Sequence, residues 1–324
     1  MTTDTSDIDL MIVLGMDDYC RDHLSEHFRV HYWPDTTTHH DRLNDPLLKR
    51  IRAVQTNGSY GLKRPMIEAM TNLEIVCAVG AGFEGIDLAA ARERGIIVTN
   101  SPGANADSVA DQAWALILGI LRRVPACDAG IRAGRWKESR VAMPIATGKR
   151  LGIYGLGHVG KAVARRGAAG FGMDVGYTAR TPKPESGCIR FRSLVDLADW
   201  ADILVVCAPS TPETYHSVNT AVLHRLGPQG YLVNISRGAL VDSEALAAAL
   251  FSGAIAGAGL DVIEGEPKVP QSLLDAPNLV LSPHIGGFSP EAIRNTIHLV
   301  RDNLDAHFAG RPVLTPLPEE AYPR

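Results

Sequence analysis

The chain has 324 residues and a formal charge of −4 at pH 7, with 32 Lys and Arg against 36 Asp and Glu. Hydrophobic residues make up 45% and charged residues 21%, the balance of a folded globular protein long enough for about two domains of roughly 150 residues each. The mild acid excess speaks against a nucleic-acid footprint, the longest apolar runs (113–121 and 203–208) are too short to cross a bilayer, and the polar start MTTDTSDIDL lacks the basic opening of a secretory signal.

Short apolar runs at 10–14, 53–56, 75–79 and 96–99 read as strands, with a short helix over 87–94 stopped by Gly95. The turn Ser101-Pro102-Gly103 closes this set, and a strongly apolar helix over 108–123 opens a second one. Further strands are predicted at 151–154, 174–178, 203–208, 231–235, 257–261 and 279–281. Strands separated by helix-length segments imply βα units and parallel sheets, so two sets imply two α/β domains. A last helix over 290–309 and a Pro-rich tail over 311–318 complete the chain. Five dispersed cysteines (Cys20, Cys77, Cys127, Cys188, Cys207), none at CxxC spacing, suit reduced thiols in a cytoplasm and give no metal knot.

The segment Leu151-Gly-Ile-Tyr-Gly-Leu-Gly-His-Val-Gly160 is a predicted strand running into GxGxxG, with a helix predicted over 161–170. In such a loop Gly155 permits the tight turn, Gly157 lets a pyrophosphate approach the backbone, and Gly160 allows close helix–strand packing. The helix start offers free N–H groups to the phosphates. An NAD site usually carries Asp or Glu about 20 residues past the last glycine. Here the window Tyr177-Thr-Ala-Arg-Thr-Pro-Lys183 holds no carboxylate, and Arg180 stands 20 residues past Gly160, with Thr181 and Lys183 near it. A guanidinium pairs with a ribose 2′-phosphate, so the window favours NADPH over NADH; a merely solvated Arg180 is the plainer alternative.

Three later segments place chemically capable side chains past predicted strand ends: Arg237 in NISRG, Glu266 in GLDVIEGEP and His284 in SPHIGG. Ligands of an open parallel sheet bind outside those carboxyl ends, so the three can share one crevice. Singly, each has a bland reading: a turn cap, a surface charge, one of 11 histidines.

GLGHVG, TPET at 211–214, NISRG, GAGLDVIEGEP and SPHIGG follow one another in the order and spacing of a known family. The chain resembles the D-2-hydroxyacid dehydrogenases, and within them the NADPH-dependent glyoxylate/hydroxypyruvate reductases and hydroxyphenylpyruvate reductases, from about residue 72 to 316. The resemblance implies an α/β fold of two Rossmann-like or flavodoxin-like parallel-sheet domains with the active site in the cleft between them. It implies a discontinuous substrate-binding domain (1–102 and 288–324), to which the last helix returns, around a dinucleotide-binding domain (103–287). Arg237 then orients the substrate, His284 is the acid/base and Glu266 pairs with it. Cofactor contacts are expected at Gly155, Leu156, Gly157, His158, Val159, Gly160, Arg180, Thr181, Lys183, Ala208, Pro209, Thr214, Ile235, Ser236, Arg237, Asp261, His284 and Gly286. Substrate contacts are expected at Ala81, Gly82, Arg237, His284 and Trp136, the first two through backbone N–H groups after the strand at 75–79. Trp136 reads either as a residue reaching a partner subunit's pocket in a homodimer or as a packed core side chain.

The chemistry that follows is reduction of a 2-oxoacid to the (R)-2-hydroxyacid in the cytoplasm, with no metal, nucleic acid or membrane involved. His284 delivers a proton to the ketone oxygen as hydride arrives, Arg237 forks across carbonyl and carboxylate oxygens, and a carboxylate at Glu266 favours the imidazolium. Two other readings share the scaffold. Formate oxidation is disfavoured because the histidine there pairs with a neutral glutamine, whereas Glu266 is charged. A non-catalytic NAD(P)H sensor keeps a similar triad and differs by showing no turnover. Phe288 departs from the small residue usual in close relatives, which bears on the size of the substrate pocket.

Overall fold

The computed structural model describes residues 5–322; Met1–Asp4 of the polar start, and Pro323 and Arg324, lie outside the described residues. The chain divides into two compact units, Met1–Asn105 with Phe288–Arg324, and Ala106–Gly287.

The first unit begins with β1 (Asp9–Ile12), α1 (Asp18–Ser25), β2 (Arg29–Tyr32) and β3 (Ala53–Asn57). It continues with α2 (Arg64–Ala69), β4 (Ile75–Val79), α3 (Leu88–Glu93) and β5 (Ile97–Thr99). Its five strands are all parallel, in the order β2-β1-β3-β4-β5. β4 reads IVCAV without a polar break because a parallel strand is covered on both faces. β2, RVHY, was absent from the expected strands: it lies at the sheet edge, where mixed polarity hides the strand signal.

The second unit opens with α4 (Ala106–Leu121) and α5 (Val124–Arg132), followed by β6 (Arg150–Tyr154), α6 (His158–Phe171), β7 (Asp174–Thr178) and β8 (Ile189–Arg190). Then come α7 (Leu194–Trp200), β9 (Ile203–Val206), α8 (Thr220–Leu226), β10 (Tyr231–Asn234), α9 (Ser243–Phe251), β11 (Gly257–Leu260), α10 (Gln271–Leu274) and β12 (Leu279–Leu281). Its seven parallel strands run β12-β11-β10-β9-β6-β7-β8, so the order reverses between β6 and β9. β8, two residues long at the edge, is a second strand absent from the expectation. One core packs α4 and α6 against the sheet through Val109, Ile117, Val163 and Ile153. Another packs Leu197, Leu223 and Leu246 of α7, α8 and α9.

The last helix, α11 (Pro290–Phe308), is nineteen residues long and is capped by Ser289, whose side chain accepts from Ala292 N. It returns to the first unit, burying Ile297, Val300 and Leu304 against Leu10, Ile12 and Cys77. Buried Asn303 pins the tail: its Oδ1 accepts from Leu314 N at 2.9 Å and Thr315 N at 3.1 Å, and Thr315 Oγ1 donates to Asn100 O at 2.6 Å. Among the described residues no helix is long and apolar enough to cross a membrane.

Candidate active site

The switch point between β6 and β9 is where an open α/β sheet leaves a crevice beyond its strand ends. Gly155 turns there with φ +97°, and a Cβ on it would lie 2.6 Å from Ala208 N, so the loops after β6 and β9 touch. At Gly160 an added Cβ would meet Gly155 O at 2.2 Å, the close helix–strand approach the third glycine exists for. Around Gly157 nothing lies within 4 Å of such an atom, and Gly157 caps α6 without any side-chain hydrogen bond. The first N–H groups of α6 therefore stay available to an anion. These features fit a dinucleotide pyrophosphate.

The other expected cofactor residues of this unit surround the same strand ends. His158 and Val159 form the first turn of α6, whereas Leu156 is buried and has only its backbone to offer. Arg180 and Thr181 are exposed just beyond β7, and Lys183 N donates to Tyr177 Oη at 2.7 Å. Hydrogen bonds from Thr211 and its own backbone, with a smaller pull from Arg180, hold the Glu213 carboxyl below its usual range. Thr214 Oγ1 donates to Pro209 O at 2.8 Å, and Ser236 Oγ donates to Ala208 O, tying the loops after β9 and β10 together. Ile235 is buried.

β10, β11 and β12 are neighbours in the sheet, and Arg237, Glu266 and His284 follow them in that order. Buried Asn234 shapes the first loop, donating to Arg237 O at 2.9 Å and accepting from Ser236 N at 3.1 Å. Gly238 beside it packs on the next loop, since a Cβ there would meet Ile263 C at 2.1 Å. Glu266 Oε2 accepts from Ile263 N at 3.1 Å, which aims Oε1 at His284 Nδ1, 2.5 Å away. An ionised carboxylate only accepts, so Nδ1 carries hydrogen and Nε2 is the atom left to exchange a proton. The two side chains are 37% and 39% exposed, open to a small molecule.

His284 has φ +56°, a left-handed backbone that costs a non-glycine residue on the order of 1–3 kcal/mol. Its N–H donates to Asp261 O at 2.7 Å. The Asp261 carboxylate, expected at the cofactor, is 2% exposed and accepts from Ser282 Oγ at 2.6 Å, Ile285 N at 3.0 Å and Gly286 N at 2.8 Å. Gln112 Nε2 donates to Ser282 Oγ at 2.9 Å, and Ser108 Oγ donates to Gly286 O at 2.6 Å. The sequence reading passed over Ser108, Gln112 and Ser282. The available signal was two uncharged polar residues at i and i+4 in the first half of a helix that also carries Asp107 and Asp111. It also passed over a second pair, His216 Nε2 with Glu264 Oε1 at 2.8 Å, in the same loop as Glu266.

Ala81 and Gly82 belong to the first unit, apart from the triad's unit. They follow β4 in a loop where Ser101 N donates to Gly80 O at 2.7 Å and Asn100 Nδ2 donates to Ala81 O at 2.7 Å. Trp136 is 61% exposed, so the core reading of that residue is corrected: no apolar neighbours enclose it. A groove of about 750 Å³ between α6 and residues 185–189, lined by Lys161, Arg165 and Cys188 among others, contains none of the three triad residues. Among the described residues no cluster of three or more His, Cys, Asp or Glu has the arrangement to hold a metal ion.

The profile of the D-isomer specific 2-hydroxyacid dehydrogenase NAD-binding domain matches residues 114–286. Hydroxyphenylpyruvate reductase of Plectranthus scutellarioides is 41% identical over 96% of this chain and 99% of its own. A glyoxylate/hydroxypyruvate reductase A of Arabidopsis thaliana is 40% identical over 96% of this chain and 99% of its own. The NADPH-dependent glyoxylate/hydroxypyruvate reductase of Sinorhizobium meliloti, solved with NADP and malonate, superposes with a TM-score of 0.88 at 36% identity, covering 98% of this chain and 99% of that one. With an open glycine loop at the switch point and a histidine–carboxylate couple on the loops after β11 and β12, the chain belongs to the D-isomer specific 2-hydroxyacid dehydrogenases, a family of NAD(P)-dependent oxidoreductases.

Proposed function

We propose that the protein reduces a 2-oxoacid (glyoxylate, hydroxypyruvate or a bulkier acid such as phenylpyruvate) to the (R)-2-hydroxyacid, preferring NADPH. The observation that carries this reading is the 2.5 Å contact between His284 Nδ1 and Glu266 Oε1, an acid/base couple in a family of hydride-transfer enzymes. Bound NADPH supplies the hydride. As charge grows on the ketone oxygen, His284 donates its Nε2 proton there, with the Glu266 carboxyl holding the ring in place through Nδ1. Arg237 pairs with the substrate carboxylate and polarises the ketone, and the backbone N–H groups of Ala81 and Gly82 hold the same carboxylate. In this reading residues 1–102 and 288–324 serve the substrate and 103–287 serve the dinucleotide.

NADPH preference is supported by exposed Arg180 past β7, by Ala179 where an acid would reject a phosphate, and by the NADPH-dependent S. meliloti relative. Exposed Phe288, four residues past His284, suits a pocket trimmed to small acids or walled by an aromatic ring for a larger one. A homodimer is supported by exposed Val124, Ile131, Trp136, Val141 and Ile145, an apolar run that a second copy would cover and from which Trp136 would reach the partner's pocket. The dispersed, unpaired cysteines fit a cytoplasmic location. The test is a panel of glyoxylate, hydroxypyruvate, hydroxyphenylpyruvate and formate with each coenzyme. Loss of NADPH absorbance with at least one oxoacid, slower with NADH, supports the proposal; tight NADPH binding with no turnover identifies a sensor instead.

A further inference from the structure

The imidazole of His284 sits on a backbone that its own residue type disfavours, so something must impose that conformation. The hydrogen bonds that impose it run in one direction and begin on α4. Gln112 gives an N–H to Ser282 Oγ, which frees the single hydroxyl hydrogen of Ser282 for Asp261 Oδ1. Fixed in this way, the Asp261 carboxylate takes both Ile285 N and Gly286 N, while its carbonyl takes His284 N. The residue with the disfavoured φ is thus bracketed by hydrogen bonds at its own N–H and at the next two. Gly286 leaves little slack, because a Cβ there would lie 2.9 Å from Asp261 Oδ2.

We propose that Gln112 and Ser282 are positioning residues for the His284 imidazole, acting through the Asp261 carboxylate to hold residues 282–286 in the conformation that presents Nε2 to the ketone. Neither residue belongs to the glycine loop, and both act on the proton donor without taking part in the proton transfer. The relay is polarised: an acceptor at position 112 competes with Asp261 for the only hydrogen of Ser282. Gln112→Glu makes that change without altering the size of the side chain. A misplaced proton donor costs rate more than coenzyme affinity, on the order of tenfold to a hundredfold in kcat.

The inference rests on the oxoacid-reductase reading, and its test separates the two. Ser282→Ala, Ser282→Thr and Gln112→Glu are assayed beside wild type for kcat, NADPH Kd and Tm. The proposal expects the Ala and Glu variants to lose about tenfold or more in kcat, with NADPH Kd within about twofold and the fold intact. The Thr variant, which keeps the hydroxyl, is expected to recover most of the rate. Wild-type kcat in Ser282→Ala or Gln112→Glu, or a Thr variant as impaired as Ala, overturns it. If Ser282→Ala does not fold, Gln112→Glu decides alone. A wild-type protein without turnover overturns the reductase reading instead. The His284 imidazole NMR resonance then carries the test: it moves in Gln112→Glu if the relay positions the ring, and an unmoved resonance rejects the relay.

Discussion

His284 Nδ1 and Glu266 Oε1 lie 2.5 Å apart although they sit on loops that follow two different strands, β12 and β11. Parallel pairing of Leu260 with Leu281 brings those loops side by side. The bond fixes the ring's orientation and, in the proposed reaction, sets the Glu266 carboxyl beside the imidazole assigned to donate the proton. Glu266→Gln keeps an acceptor but removes the charge. We expect kcat to fall about tenfold to a hundredfold with NADPH affinity unchanged, as measured by steady-state kinetics and fluorescence titration of the coenzyme.

The glycines of the loop separate folding from binding. Gly157→Ala adds an atom into open space, so thermal stability should hold while NADPH affinity falls, because the added methyl occupies the approach to the pyrophosphate. Gly160→Ala drives its Cβ into Gly155 O and should lower stability and binding together. Differential scanning calorimetry and coenzyme titration on both variants check the contrast.

Arg180 is the charge assigned to the ribose phosphate. Arg180→Ala should weaken NADPH by about tenfold, roughly 1.4 kcal/mol, and leave NADH nearly untouched. The ratio of the two kcat/KM values measures this, and equal losses for both coenzymes would remove Arg180 from the phosphate site.

At the other end of the chain, Asp9 is a buried carboxylate with His31 Nε2 at 2.6 Å and Arg50 Nη2 at 3.0 Å. Burial alone would raise its pKa, but the His31 hydrogen bond and the Arg50 charge together outweigh burial and hold it below the ordinary aspartate range. A carboxyl depressed in the folded state stabilises above its unfolded pKa, and that contribution is lost as pH falls through the folded value. Asp9→Asn should therefore cost on the order of 2 kcal/mol near neutrality, and the gap to wild type should close below about pH 4. Urea denaturation of both proteins from pH 7 to pH 3 measures it.

What could be read from sequence follows the physics of each element. Buried parallel strands such as IVCAV at 75–79 and ILVV at 203–206 announce themselves as unbroken apolar runs, and the glycine loop by spacing. The expected strands at 203–208 and 231–235 overran, ending in the structure at Val206 and Asn234, because apolar Cys207, Ala208 and Ile235 extend the pattern past the sheet. RVHY at 29–32 was illegible because an edge strand has little hydrophobic periodicity. Arg237, Glu266 and His284 were legible as chemically capable side chains past strand ends. The anchoring role of Asp261 was not legible, and it was expected only as a cofactor contact, because its bonds to Ser282, Ile285 and Gly286 depend on how two loops meet. Neither the i, i+4 pair Ser108 and Gln112 nor the His216–Glu264 contact leaves a motif, since each depends on partners more than 40 residues away.

The proton-donor role of His284 is tested most directly by His284→Ala, assayed for both oxoacid-dependent NADPH oxidation and NADPH affinity. Turnover should fall by at least about a thousandfold with the coenzyme still bound at near wild-type affinity. Near-normal turnover in that variant would contradict it.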